Sequence, residues 1–237
     1  MKGGSTLARI NKRALTRQEI VQEATKQFLE KGYTATTVSA ISKALEMSPG
    51  NLTFHYPTKE HLLAELVTLL CDFQWKLMEQ EANEGYSSIM ALCLELVSMA
   101  SACEQNEVFK DFFVSSYTSP MCLGIIRKND TLRAMKIFAA YRPEWTKEQF
   151  AEAEILCSGI EYATMMRAGD PVALETRVAG ALNNILGIYN IPRELRDEKI
   201  RRVFEMDYRK LGLRILSDFK AYVNETNDQA FQELLKR

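Results

Sequence analysis

The chain has 237 residues, of which 46% are hydrophobic, and its formal net charge is −1. This composition supports a packed core and excludes intrinsic disorder as the main state. The charge is divided unevenly, since residues 1–60 carry +4 and residues 61–237 carry −5. No apolar run reaches the roughly 18 residues that span a bilayer, and no signal-peptide core is present, so we expect a cytoplasmic protein.

The chain opens with basic residues and a first predicted helix. A Gly/Ser-containing basic segment is typical of a flexible arm that follows phosphates or enters a minor groove, or of a solvated tail. Thr16 and Glu19 have the spacing of a capping box, which predicts a helix from there to about Gly32. The basic residues before it are Lys2, Arg9, Lys12 and Arg13.

Two short helices with a tight turn follow. The apolar spacing from Val38 to Leu45 predicts the first of them. Ser48 can cap the second, Pro49 suits its first position, and Gly50 leaves room for a surface to approach. This arrangement is typical of a helix-turn-helix.

The second short helix offers polar side chains and little apolar surface. We expect Asn51 and Thr53 to contact base edges or phosphate, and His55 and Tyr56 to contact phosphate or to pack. Capping and solvated polarity are the alternative, and Thr37 either contacts phosphate or only caps. The predicted DNA-binding residues are Thr37, Ser48, Pro49, Gly50, Asn51, Thr53, His55, Tyr56 and Lys59.

An ordered set of positions between about 16 and 70 carries a family resemblance. The positions are Gly32-Tyr33, Thr37-Val38, Ile41, Ala44, Ser48, Gly50, Leu52, His55-Tyr56, Lys59 and Leu62-Leu63. They resemble the N-terminal DNA-binding domain of the tetracycline-repressor (TetR/AcrR) family. The resemblance implies a homodimeric regulator whose C-terminal domain binds a small molecule and thereby releases DNA.

Three positions depart from the family pattern. Leu45 stands where alanine is commoner, which predicts a slightly wider spacing between the two short helices or a filled gap elsewhere. Glu46 stands where glycine is usual, so the turn either holds a left-handed residue at a cost of about 1 kcal/mol or is reshaped. Thr53 stands where an aromatic residue is frequent, which predicts an altered base preference.

The rest of the sequence predicts helix after helix, without alternation that indicates a strand. A fourth helix carries an apolar stripe from Leu62 to Leu77 and, as the only long element joining both halves in sequence, is expected to couple them. Asn106 can cap a sixth helix, and Asp130 can begin a seventh. Later helices are expected at about 147–167, 171–190, 194–223 and 228–236.

Two of these late helices are the predicted dimer contact. In the resembled family two late helices of each subunit form a four-helix bundle, which implies that role for the helices near 147–167 and 171–190. Tyr162 and Ile185 lie on the predicted faces, and packing within the chain is the alternative.

Aromatic and methionine side chains concentrate in the fifth to eighth predicted helices. They predict a pocket for a small, largely apolar ligand, or ordinary core. The candidate ligand-binding residues are Phe109, Phe112, Phe113, Tyr117, Met121, Met135, Phe138 and Tyr162.

The sequence contains no pattern typical of an enzyme. The two histidines, His55 and His61, are six residues apart, and the five cysteines are widely spaced without a C-x-x-C motif. A phosphate loop and a G-x-S-x-G motif are also missing. We therefore expect no catalysis, no metal and no cofactor.

These observations predict an all-α protein with an N-terminal three-helix helix-turn-helix domain joined by a long helix to a helical ligand-binding and dimerisation domain. The predicted domains are residues 1–60 and 61–237. The predicted function is a DNA-binding regulator, a repressor, that binds an inverted repeat as a homodimer and is released by its ligand. The alternative is a ligand-independent architectural or interaction protein that retains the helix-turn-helix.

Overall fold

Helices make up the regular structure throughout the described part of the chain. The computed structural model describes residues 3–83, 87–166 and 171–236, with the backbone alone at 3–11 and 81–83. The helices are α1 (Gly3–Lys31), α2 (Val38–Ala44), α3 (Pro49–His55), α4 (Lys59–Asn83), α5 (Ser88–Gln105), α6 (Glu107–Thr118), α7 (Pro120–Phe138), α8 (Lys147–Met165), α9 (Leu174–Ile188), α10 (Arg193–Phe204) and α11 (Tyr208–Leu235). The predicted all-α class is confirmed.

The turn between α2 and α3 is a Schellman motif. The Met47 N–H donates to the Ser42 carbonyl at 2.9 Å, and the Glu46 N–H donates to the Lys43 carbonyl at 3.2 Å. Glu46 adopts a φ of 52°, so the first of the two expected turn geometries is correct. Ser48 begins α3 by accepting a hydrogen bond from the Asn51 N–H at 3.2 Å.

Replacing Glu46 by glycine should stabilise the protein by about 0.5–1 kcal/mol. Glycine removes the steric cost of the left-handed conformation, and its greater freedom in the unfolded chain offsets part of that gain. Urea unfolding measures the difference. Asn190→Gly is the matched control, because Asn190 ends α9 with a φ of 58° and asparagine tolerates this region. If Glu46→Gly instead lowered the free energy of unfolding, the exposed Glu46 side chain would stabilise the protein by more than the backbone strain destabilises it.

The predicted N-terminal arm is part of α1. Thr16 does not cap a helix, since its hydroxyl donates to the Lys12 carbonyl at 3.1 Å inside α1. The prediction of a flexible arm is therefore wrong for residues 3–15, which are helical, whereas the exposed Lys12 and Arg13 agree with a solvated basic segment. Good helix formers follow Gly4 without a proline to stop the helix. Lys2 lies outside the described residues.

Two later boundaries also differ from the prediction. α7 begins at Pro120, where Ser119 accepts from the Cys122 N–H at 3.2 Å, and Asp130 lies within it. The helix predicted over 194–223 is divided, because Asp207 caps α11 by accepting from the Lys210 N–H at 3.2 Å. The Asn106 cap and the Thr146–Gln149 pair are as predicted, with N–H to side-chain oxygen distances of 2.9 and 2.8 Å.

α11 packs along α5 and α1 and so connects the two halves of the chain. Asn227 is 4% exposed. Its amide nitrogen donates to Thr25 Oγ1 at 3.0 Å, and its amide oxygen accepts from Gln18 Nε2 at 3.1 Å. α11 therefore continues through the break predicted at 223–228, because its polar Asn227 is satisfied by α1.

α4 is not the only connection between the halves. Asp111 on α6 accepts a hydrogen bond from the Thr34 N–H at 2.8 Å, just after α1. The Ser119 hydroxyl donates to Glu60 at the start of α4. Coupling through α4 alone, as predicted, would ignore these contacts and those of α11. Within the described ranges, no helix is long and apolar enough to cross a membrane.

Candidate DNA-binding surface and ligand cavity

The N-terminal turn of α3 is exposed to solvent. Ser48, Pro49, Gly50 and Asn51 all lie on this surface, which agrees with the close approach predicted for them. Thr53 is half-buried, and its hydroxyl donates to the Pro49 and Gly50 carbonyls at 3.1 and 3.2 Å. An exposed helix start with small and polar residues suits close contact with a polyanion.

Phe54 is the side chain on α3 that the sequence analysis missed. It is 67% exposed, although a phenylalanine normally gains by burial. The Arg13 guanidinium lies 5.3 Å from the centre of its ring, within cation–π range. The available signal was the helical spacing, because Leu52 and Tyr56 face inward and Phe54, two residues from each of them, lies on the opposite side of the helix.

His55 and Tyr56 face the interior of the domain. They are 8% and 3% exposed. The Tyr56 hydroxyl donates to Glu65 Oε1 at 3.1 Å, and the Arg17 guanidinium donates to the His55 carbonyl at 2.8 Å. Burial, followed by the charges of Arg13 and Arg17, lowers the pKa of His55. Of the two roles predicted for these residues, the structure favours packing.

Lys59 and Thr37 have partners within the chain. The Lys59 ammonium donates to the Tyr33 and Thr36 carbonyls at 2.7 and 2.8 Å and lies 4.0 Å from the centre of the Tyr33 ring. It therefore holds the loop after α1 against the start of α4. Thr37 caps α2 by accepting from the Ala40 N–H at 3.1 Å.

A cavity lies in the C-terminal half, where α4 to α9 converge. Its volume is about 40 Å³, which holds about three water molecules. Polar and aromatic side chains share its walls with aliphatic ones. The lining residues are Gln74, Leu92, Glu95, Leu96, Met99, Tyr117, Asp130, Arg133, Ala134, Phe138, Glu154, Cys157, Glu161, Ile185 and Tyr189.

One side of the cavity is an ion-pair network. Arg133 donates from Nη1 to Glu95 Oε1 at 3.1 Å and from Nη2 to Glu95 Oε2. Asp130 lies 3.5 Å from the same guanidinium. The network reaches α4, because the Gln74 amide donates to Glu95. A second connection to α4 runs through Asn129. The Trp75 indole N–H donates to the Asn129 side-chain oxygen at 2.7 Å, and the Asn129 amide nitrogen donates to Asp130.

The opposite side carries two carboxyl groups bonded to phenols. The Tyr189 hydroxyl donates to Glu154, and the Tyr117 hydroxyl donates to Glu161 at 2.7 Å. Burial, followed by the charge of Asp130, raises the pKa of Glu154 to about 7 and that of Glu161 well above its usual range. Burial also raises the pKa of Asp130 to about 6. The cavity therefore holds carboxyl groups that are partly protonated near neutral pH.

The predicted ligand-binding residues are distributed over several environments. Tyr117 and Phe138 line the cavity, whereas Phe109 lines a separate small cavity near Phe219. Phe112 and Phe113 belong to the core at 0% and 3% exposure. Tyr162 stacks on Tyr117 from outside, Met135 packs half-buried, and Met121 is exposed.

The prediction of a largely apolar pocket did not include the charged part of this cavity. Four carboxyl groups and one guanidinium line it beside the aromatic rings. Sequence reasoning missed them because each charged residue lies on a helix whose apolar pattern gives no sign of a buried charge. Asp130 was instead interpreted as a helix start.

The predicted dimer helices differ in what they expose. On α8, Ile155 and Leu156 are 52% and 59% exposed, and Gly159 and Ala163 lie on the same exposed side. On α9, Ile185 is only 4% exposed. Its burial within the chain makes it unsuitable as a dimer contact.

The exposed α3, the Schellman turn before it and the supporting α1 and α4 define the class of this protein. It contains an N-terminal helix-turn-helix DNA-binding domain. Residues 20–66 match the family described as bacterial regulatory proteins, tetR family, so this domain is similar to the DNA-binding domain of that family. The predicted family is confirmed.

The similarity to a characterised relative covers the same domain. Over 53 residues the chain is 40% identical to the HTH-type transcriptional regulator QacR of Staphylococcus aureus. The aligned segment is 22% of this chain and 28% of QacR, so the chain spans little more than a quarter of that relative.

Several solved structures resemble the chain over a greater length. CprB from S. coelicolor A3(2) is 20% identical with a TM-score of 0.41, and the alignment covers 87% of this chain and 98% of CprB. Salmonella enterica GusR is 19% identical with a TM-score of 0.46, over 74% of this chain and 96% of GusR. A gamma-butyrolactone receptor described as ArpA-like is 21% identical with a TM-score of 0.40, over 86% and 97% of the two chains.

Proposed function

We propose that the protein is a ligand-responsive, DNA-binding transcriptional regulator, a repressor, that binds an inverted-repeat operator as a homodimer. The observation that carries the proposal is the exposed surface of α3 within a tetR-family domain. The proposed DNA-binding domain is residues 1–60, and residues 61–237 form the ligand-binding and dimerisation domain. α11 contributes to both, because Asn227 bonds to α1.

Asn51, Thr53 and Phe54 are the proposed base-reading residues. Asparagine can bond to adenine through two hydrogen bonds, and an exposed aromatic ring can contact a thymine methyl group. Ser48 and Gly50 permit the close approach. Arg13 and the neighbouring Lys12 add positive charge beside α3 for the phosphates.

Replacing Phe54 by alanine should weaken binding to the selected operator about tenfold, with a smaller effect on random DNA. The reason is loss of an apolar contact with a base edge, which random sequences make less often. Fluorescence anisotropy measures both affinities. Met121→Ala is the control, since Met121 is 38% exposed on α7.

A second comparison tests the proposed contact itself. Replacing operator thymines by uracil removes only the 5-methyl groups. The change should weaken binding of the natural protein and leave the Phe54→Ala protein unaffected at the contacted position. If uracil lowered the operator affinity of both proteins equally, Phe54 would not contact these thymine methyl groups.

The proposed homodimer forms through the outer face of α8 together with α9. Two recognition helices about 34–36 Å apart would then match successive major grooves. Leu156→Glu should produce a monomer at micromolar concentration, because a buried unpaired carboxylate opposes association. Sedimentation measures the state. Leu213→Glu is the control, because Leu213 is 48% exposed on α11, and a dimer that persists in Leu156→Glu would exclude this interface.

The cavity supports the ligand-responsive form of the proposal over a purely architectural protein. Its charged network bonds to Gln74 and indirectly to Trp75 on α4, and only three residues separate the end of α3 from the start of α4. A ligand that rearranges Glu95 or Asp130 must also change these bonds to α4. The ligand must then lower the affinity for the operator by the same factor by which the operator lowers the affinity for the ligand, typically about 5- to 150-fold.

A further inference from the structure

One end of α11 is packed in the C-terminal half, and the other end contacts the DNA-binding domain. The Phe219 ring lies against Phe73 and Phe112, with ring centres 5.5 and 6.2 Å apart. Asn227 follows Phe219 by about 12 Å along the helix axis and bonds to α1. We call residues 223–235 of α11 the strap, because this part of the helix connects the C-terminal half to α1.

Polar bonds hold the strap on α1. Asn227 is 4% exposed. Its amide nitrogen donates to Thr25 at 3.0 Å, and its amide oxygen accepts from Gln18 at 3.1 Å. The Gln22 amide donates to Asp228 one residue later. A shift of the strap along α1 would leave the buried amide without partners, so these bonds fix the register of the two helices.

Open space remains beside these bonds. A groove of about 350 Å³ lies between the strap, α1 and α4. Its walls include Ala14, Val21, Leu69 and Ala230, so apolar contact between the three helices is incomplete here. We therefore expect the polar bonds of Asn227, rather than close packing, to hold the strap in place.

α1 is also attached to the C-terminal half at a second point. Asp111 on α6 accepts a hydrogen bond from the Thr34 N–H at 2.8 Å, just after α1. Gln18 and Lys31, the last residue of α1, are about 20 Å apart along the helix axis. A rigid helix that is held at one end can pivot, whereas a helix held at two separated points keeps its direction. The strap therefore helps to fix the direction of α1.

The direction of α1 is passed on to the recognition helix by Arg17. This residue precedes Gln18, which the strap holds. Its guanidinium donates to the His55 carbonyl at 2.8 Å and lies 4.2 Å from the centre of the Tyr56 ring. The C-terminal end of α3 thus rests on the turn of α1 that bonds to Asn227, and a movement of this turn must move α3.

We propose that Asn227 is a positioning residue that, through the strap, sets the spacing of operator half-sites that the protein accepts. The inference rests on the proposed homodimeric regulator and deepens it, because it assigns the spacing specificity to a buried residue outside α3. Each added base pair moves a half-site by about 3.4 Å and rotates it by about 34°. A dimer with firmly held α3 helices matches one spacing, whereas a dimer with a loosened α1 follows several.

Operators with altered spacers test this role on the full chain. The selected half-sites are separated by the selected spacer and by one or two base pairs more or fewer, and fluorescence anisotropy measures the five affinities. The natural protein should bind the best spacing at least about tenfold more tightly than spacings two base pairs away. Asn227→Leu and Gln18→Met keep similar volumes but remove the bonds, so each should lower this ratio to about threefold or less.

Asn224→Leu is the matched control. It makes the same substitution on the exposed side of the same helix and should leave the ratio of affinities unchanged. A loss of stability alone would weaken binding to all five operators equally, so the ratio separates positioning from folding. Hydrogen exchange measures the attachment without DNA. The amides of residues 224–235 should exchange at least about tenfold faster in Asn227→Leu than in Asn224→Leu.

An unchanged ratio in Asn227→Leu and Gln18→Met would overturn the spacing role and leave the regulator intact. If Asn227→Leu does not fold, Gln18→Met decides, because Asn227 then keeps its bond to Thr25. A protein that selects no DNA sequence would refute the regulator and the spacing role together. Equal hydrogen exchange in Asn227→Leu and Asn224→Leu would show that Asn227 does not hold the strap, and it would overturn the inference whatever the protein does with DNA.

Discussion

Replacing Arg133 by methionine should lower the free energy of unfolding by about 3–5 kcal/mol. Arg133 is 5% exposed and bonds to Glu95 through two nitrogens. Methionine fills part of the space but leaves the Glu95 carboxylate buried without its cation. Urea unfolding at pH 7 measures the loss.

Two further variants show whether the ion pair is the cause. Glu95→Gln combined with Arg133→Met should recover part of the stability, because the unpaired charge is then absent. Arg201→Met should cost little, since Arg201 and Glu205 form an exposed pair at 3.9 Å. A loss below about 1 kcal/mol in Arg133→Met would mean that the cavity already hydrates the charge.

The second large effect is expected at Gly212, where α11 crosses α5. A methyl group added there would lie 2.7 Å from the Ser98 carbonyl oxygen. Because that oxygen belongs to the backbone of α5, the helices must separate, and Gly212→Ala should lose about 1–3 kcal/mol. Thermal or urea unfolding measures this loss.

Gly124→Ala is the matched control. Gly124 lies within α7, and a methyl group there would meet no atom within 4 Å. Alanine is the better helix former, so this variant should gain about 0.5–1 kcal/mol. If Gly212→Ala had the same free energy of unfolding as Gly124→Ala, α5 and α11 would not approach each other as closely as described at this position.

Local capping chemistry made the helix-turn-helix predictable. Ser48, Pro49 and the apolar spacing around Ile41 act within a few residues of each other, so no knowledge of the remaining chain is needed. Asn106 and the Thr146–Gln149 pair were predictable for the same reason. These signals concern bonds between neighbours in sequence.

Features that depend on distant partners were not predictable in this way. Asn227 resembles a helix end in sequence, yet in the structure it is bonded to Thr25, which lies 202 residues away. Asp130 resembles a helix cap, yet it lies beside Arg133 within α7. Glu95, Glu154 and Glu161 come together only when α5 packs against α8, so their shared cavity has no local signal.

Burial also changed the interpretation of the recognition helix. A polar pattern on α3 indicated Asn51, Thr53 and His55 equally, because polarity alone does not show which of these side chains faces inward. The structure places His55 inside and Phe54 outside. The aromatic side chain predicted to be missing at Thr53 is therefore present one position later.

Selection of bound fragments from a random DNA pool tests the regulator most directly. The structure leads us to expect enrichment of an inverted repeat whose half-site centres lie about one helical turn apart, or modestly more if the DNA is distorted. The protein should bind it as a dimer, with Phe54→Ala weakening that binding. A pool without an enriched sequence, or a single half-site bound tightly by a monomer, would contradict a dimeric operator-binding regulator.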